Sequence, residues 1–159
     1  MEKWSGWRLW LGIVWSSPIS IVAAIFYVIP FTLIGWYRYF GIHEHGMFFV
    51  TTDKMLSWLV NFWKRWAGHT AGNIVVMTVE PTEKSATVIH ELQHVTQCMK
   101  LGVFQPILYA LSSIGIKLAC PNSDPYFSNP FELDARRAAG QIVDVEGLVK
   151  KLHEKAAPK

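Results

Sequence analysis

The chain has 159 residues, a length that suits one compact domain with an appendage. It is 51% hydrophobic, with 8 Trp, 9 Phe and 5 Tyr, and its net charge is only +3. That composition points to a membrane or a large buried interface. The absence of a clustered basic face with interleaved aromatics excludes nucleic acid as a partner.

Positions 9–37 carry no charged side chain, a run longer than the ~20 residues a transmembrane helix needs. Trp4, Trp7 and Trp10 stand at one end, and Trp36, Tyr37 and Tyr39 at the other, as interfacial anchors do. Pro18 and Pro30 each remove an internal helix hydrogen bond. The expectation is one kinked span or a re-entrant hairpin within an N-terminal hydrophobic segment, residues 1–45. This makes the protein membrane-associated, with lipid as a partner. Positive residues balance across the segment, so its orientation is not assigned. His43-Glu44-His45 reads as a solvent-facing interfacial loop.

Residues 53–66 read as an apolar helix with Lys54, Lys64 and Arg65 at its polar edges. Gly68 and Gly72 bracket a turn, and the β-branched run 74–79 predicts a strand that Pro81 ends. A helix follows over 82–101, with Thr82 as N-cap and Gly102 as its stop. The stretch 104–118 is apolar and uncharged until Lys117, but too short to span a bilayer. Residues 120–129 form a loop by turn chemistry. A last helix runs from 131 to about 154, with Pro130 at its first position and Gly140 and Gly147 as weak points. The predicted fold is mainly α with a small β element (α+β), and residues 46–159 form the domain. Cys98 and Cys120 match neither a CxxC motif nor a disulfide framework.

The chemistry lies in His90-Glu91-Leu92-Gln93-His94, an HExxH sequence inside a predicted helix. Residues i and i+4 share one helix face, so two imidazoles can reach one metal ion. Glu91 borders that face without being forced onto the metal. It can act as the base that takes a proton from a metal-bound water. A catalytic zinc site takes three protein ligands and keeps one open position. Glu132, in Asn129-Pro130-Phe131-Glu132, is the leading third ligand, and the same residues spell a capping box. On spacing alone, ligand and cap stand level. His69 is a further candidate, because its strand leads into the motif helix.

Taken in order, these residues resemble the gluzincin-type zinc metallopeptidases, in which a Glu on a later helix completes the HExxH site. They resemble more narrowly a group of small bacterial and phage-type metallopeptidases. The resemblance rests on Gly72-Asn73-Ile74-Val75-Val76, His90 to His94 with Gln97, Gly102-Val103-Phe104-Gln105-Pro106, Asp124-Pro125-Tyr126 and Asn129 to Ala135. It implies zinc held by His90, His94 and Glu132, Glu91 as base, and a peptide or protein substrate paired to strand 74–79. It also implies a bacterial or phage origin. Where many gluzincins carry an Asp four residues after the ligand Glu, this chain has Arg136. Asp134 is then expected to support the site, and Tyr126 and His69 are the candidates for stabilising an oxyanion. The competing expectation is a catalytically silent metal-binding or structural membrane protein.

Overall fold

A computed structural model describes residues 4–55, 67–82 and 85–141. The N-terminal apolar run is one continuous helical rod, Gly6–Leu33, rather than a hairpin. It comprises α1 (Gly6–Ala23), a π-helical turn (Ala24–Val28) and α2 (Ile29–Leu33). Pro30 has no N–H to give the preceding turn, and the chain changes to the wider π register just before it. The rod is long and apolar enough to cross a membrane.

Four strands follow, forming a mixed sheet in the order β1-β2-β4-β3. They are β1 (Tyr37–His43), β2 (Gly46–Thr51), β3 (Gly68–Ala71) and β4 (Ile74–Met77). The sheet is larger than the single small element expected. Residues read as membrane anchors and an interfacial loop form the antiparallel β1–β2 hairpin, with Glu44 at φ 50° in its turn. The suggested boundary at 45–46 falls in that turn. Gly68 and Gly72 enclose β3 rather than a bare turn, and Gly72 serves the tight β3–β4 connection at φ 63°. The helix expected over 53–66 lies almost wholly outside the described residues.

β4 is buried throughout, as its unbroken β-branched run predicts. Successive side chains point to opposite faces of a strand, so β4 feeds two cores. Val75 and Met77 pack with Phe48, Val88, Leu92, Val95 and Met99 against the motif helix. Ile74 and Val76 pack with Ala23, Val28 and Tyr37 beside the N-terminal rod.

The motif helix, α3 (Ala86–Leu101), begins later than expected. Ser85 is its N-cap and accepts from the Val88 N–H at 3.2 Å, a role the sequence suggested for Thr82. Gly102 stops it at φ 55°, and a Cβ there would lie 2.5 Å from the Trp15 indole nitrogen. The chain then bends by 111° into α4 (Phe104–Ala119). The last described helix, α5 (Pro130–Ala138), ends before Gly140, and the rest of the helix expected to 154 lies outside the described residues. Cys98 and Cys120 are both buried and unbonded to each other.

Small and polar residues of α1 face the domain. Gly12 lies against Met99, and Ser16 donates to the Asn73 side-chain oxygen. The Asn73 N–H donates to Ser20 Oγ at 2.8 Å, and its side-chain amide donates to the His45 carbonyl at 3.2 Å. These groups are buried, so each lost partner leaves a desolvated polar atom behind. Asn73→Ala is expected to destabilise the detergent-solubilised protein by about 1–3 kcal/mol. Equilibrium denaturation measures it, and an unchanged midpoint would show that α1 docks without this clamp.

Candidate metal centre

α3 presents His90 and His94 one turn apart, and α5 brings Glu132 across to them. Asn129 caps α5 by accepting from the Phe131 N–H at 3.0 Å, while its own N–H donates to the Tyr126 carbonyl. Glu132 is therefore not needed as a cap, and its carboxylate turns to the imidazoles. His90 Nε2 lies 3.3 Å from Glu132 Oε2, and His94 Nε2 lies 3.3 Å from Glu132 Oε1. The two Nε2 atoms are 3.2 Å apart. His90, His94 and Glu132 form the group able to hold a metal ion among the described residues, and all three are buried. His69 stands outside that group.

Three electron-pair donors converge here away from water, an arrangement that is costly unless a cation or proton joins them. Glu132 Oε2 and His90 Nδ1 are buried, and neither has a hydrogen-bond partner outside the cluster. Burial by itself raises the Glu132 carboxyl, but the hydrogen bonds and charge of His90 and His94 outweigh it and hold it well below the usual carboxylate range. Burial opposes protonation of His94, yet the Glu132 carboxylate raises its proton affinity above the ordinary value. A site that attracts a proton this way attracts a metal ion for the same reason.

Further contacts fix the three side chains. His94 Nδ1 meets Gln97 Oε1 at 2.8 Å, which leaves Nε2 as the lone-pair atom facing the site. Gln97 Nε2 donates to Asp134 Oδ2 at 2.8 Å and to the Phe131 carbonyl at 3.0 Å. Gln93 Nε2 also donates to Asp134 Oδ2, at 2.8 Å. Asp134 thus acts on His94 through a buried amide. Arg136 takes no part in this chain of contacts and stacks over Phe127 at 4.4 Å and Tyr126 at 5.4 Å. Gln97→Ala should weaken metal affinity about 10–100-fold while removing no ligand. Competition against a chromogenic chelator reads the change. Unchanged affinity would make the Gln97 contact incidental.

Glu91 follows His90 and is buried beneath β3. Its Oε2 accepts from Thr70 Oγ1 at 2.7 Å. A Cβ on Gly68 would lie 2.9 Å from Glu91 Oε1, so the glycine leaves room for the carboxylate. Burial pushes the Glu91 carboxyl up, and the nearby His94 and the Thr70 hydroxyl pull back only part of that rise. His90, Glu91, His94 and Glu132 line an open cleft of about 270 Å³ with β3 and α4 on its sides.

His69 and Tyr126 also line this cleft. Burial lowers His69 to about 4, so its imidazole is neutral at physiological pH, and its ring rests 5.7 Å from Tyr27. Burial, together with Glu132, pushes Tyr126 up to about 12, so its hydroxyl keeps its proton. Two contributors were not anticipated. One is Thr70. The other is Tyr109, which donates to Glu132 Oε1 at 3.0 Å. Gln105 and Tyr109, four apart in the first half of that uncharged run, were the available signal, since that spacing sets two polar groups on one helix face. β4 does not border the cleft as an edge. It is paired on both sides, so among the described residues β3 is the edge strand beside the site.

Comparison with known protein families, curated proteins and solved structures finds no match to this chain.

Proposed function

We propose that the protein is a membrane-associated zinc peptidase, with His90, His94 and Glu132 as ligands and Glu91 as general base. The observation that carries this reading is a cluster of three buried side chains beside a buried carboxylate in one cleft, with the two Nε2 atoms 3.2 Å apart and each 3.3 Å from one oxygen of Glu132. Tetrahedral ligands ~2.0–2.1 Å from a metal stand roughly 3.3 Å from one another. Two imidazoles and one carboxylate suit zinc, whereas calcium takes six to eight oxygens at longer range. A purely structural zinc is normally closed by four protein ligands. Three converge here among the described residues, and the site opens to a cleft.

Zinc supplies Lewis acidity toward a carbonyl oxygen and makes water more acidic. The chain supplies the rest. Glu91, with its raised proton affinity, takes a proton from the attacking water as the new C–O bond forms. It returns that proton to the leaving amine as the C–N bond breaks. Thr70 holds the carboxylate in place through both transfers. Tyr126, still protonated and hydrogen-bonded to Glu132, is the donor that turns to the oxyanion. β3, the edge strand among the described residues, offers backbone groups to an extended peptide.

The test uses the full chain purified in detergent without chelator. One zinc per chain, and hydrolysis of an internally quenched peptide pool that stops with o-phenanthroline and returns with zinc, supports the reading. A protein without zinc, or a zinc-loaded protein that cuts nothing, counts against it.

A further inference from the structure

The outer surfaces of the N-terminal rod and of α4 have an unusual polarity. Within the rod, Gly12, Ser16 and Ser20 are buried while Trp7, Trp10, Val14 and Phe26 are exposed. Small and polar groups pack inward and large apolar groups face out, the reverse of a water-soluble helix. α4 repeats the pattern. It buries no residue fully, and Phe104, Ile107, Leu108, Leu111, Ile114 and Leu118 are all exposed on it. Residues 102–116 carry no charge. The two surfaces are continuous: the Trp15 and Phe104 rings lie 6.4 Å apart, and Trp15 closes over Gly102 at the start of α4.

We infer that α4 is embedded in one leaflet beside the N-terminal rod, and that the metal cleft therefore acts on polypeptide segments at the point where they leave the bilayer. The length of α4 fits this placement. Its 16 residues extend about 24 Å, too short to cross the ~30 Å hydrocarbon core and longer than the ~15 Å of one leaflet, so it lies aslant within that leaflet. The other side of the same helix walls the cleft, through Gln105, Pro106 and Tyr109. A helix with its side chains is about 10–12 Å across, which sets the separation between lipid and cleft. An extended chain covers ~3.3 Å per residue, so the scissile bond falls within about four residues of the membrane surface. This substrate class rests on the peptidase reading, while the placement of α4 does not.

The protein is reconstituted in phosphatidylcholine vesicles containing a doxyl-labelled lipid. A fluorophore is attached through Leu111→Cys or Ile114→Cys, with Val14→Cys as the lipid-facing reference and Asn122→Cys as the aqueous one; native Cys98 and Cys120 are buried. Lipid quenching at 111 and 114 equal to that at 14 is the expected result. Quenching by aqueous iodide instead overturns the placement. So does shielding from both quenchers, which would mean that a second copy or another part of the chain covers α4. Next, a random decapeptide pool is offered free or through a palmitoyl anchor. The anchored pool should be cut roughly a hundredfold faster, with cuts within about four residues of the anchor. Leu111→Glu combined with Ile114→Glu should abolish that advantage and spare both zinc content and cleavage of the free pool. Equal rates, or cuts spread along the chain, overturn the substrate class. If neither pool is cut by zinc-loaded protein with quenched labels, the peptidase reading fails and the lipid placement of α4 stands.

Discussion

If the protein is the zinc peptidase proposed, Glu91→Gln is expected to retain zinc and to lose peptide hydrolysis by a factor of about 10²–10⁴, the usual contribution of a positioned general base. The carboxamide has nearly the shape of the carboxylate and can still accept from the Thr70 hydroxyl, so the packing beneath Gly68 is kept. What it cannot do is take a proton from water. The loss should appear in kcat and kcat/KM alike, because proton transfer is an event of the transition state. Zinc analysis run beside the kinetics separates the two roles of this region. Should metal and activity disappear together, Glu91 belongs to the ligand set or to the packing, and the base must be sought elsewhere.

Removing a ligand has the opposite signature. His94→Ala and Glu132→Ala are each expected to lose zinc on purification, with an affinity decrease beyond the ~10–100-fold typical of a supporting residue. The wild-type protein should melt higher with zinc than after chelation, since a ligand that binds only the folded state stabilises it. In both variants that zinc-dependent rise should shrink sharply. Glu132 is the more telling position, because Asn129 and Pro130 remain to start α5 when its carboxylate is gone. A Glu132→Ala protein that keeps one zinc would remove Glu132 from the ligand set and return His69, already on the cleft wall, as the candidate.

The helical parts of this site were legible because their signals are local. HExxH sets two imidazoles on one face of α3 by helix period alone. Gly102 and the Asn129-Pro130 pair mark where helices stop and start. The β-branched run at Ile74–Met77 announced a buried strand in the same way. The β1–β2 hairpin was not legible. Its aromatic residues continue the apolar run before it, so the period-2 pattern merges with a membrane-like composition. The Asp134–Gln97–His94 connection was legible only in part, since Asp134 was expected to support the site while its route through Gln97 depends on how α5 crosses α3.

By itself, the sequence determined the identities and spacing of His90, Glu91 and His94, the extent of the N-terminal apolar segment though not its shape as a rod, and the mixed α and β character, all of which follow from neighbours a turn or two apart. The tertiary structure alone turned the Glu132 carboxylate to the imidazoles rather than back to the Asn129 N–H, placed β3 rather than β4 at the cleft edge, and brought Tyr109 and Thr70 to the site. Those outcomes join residues distant along the chain, and they are set by how the two cores close around β4 rather than by any local period.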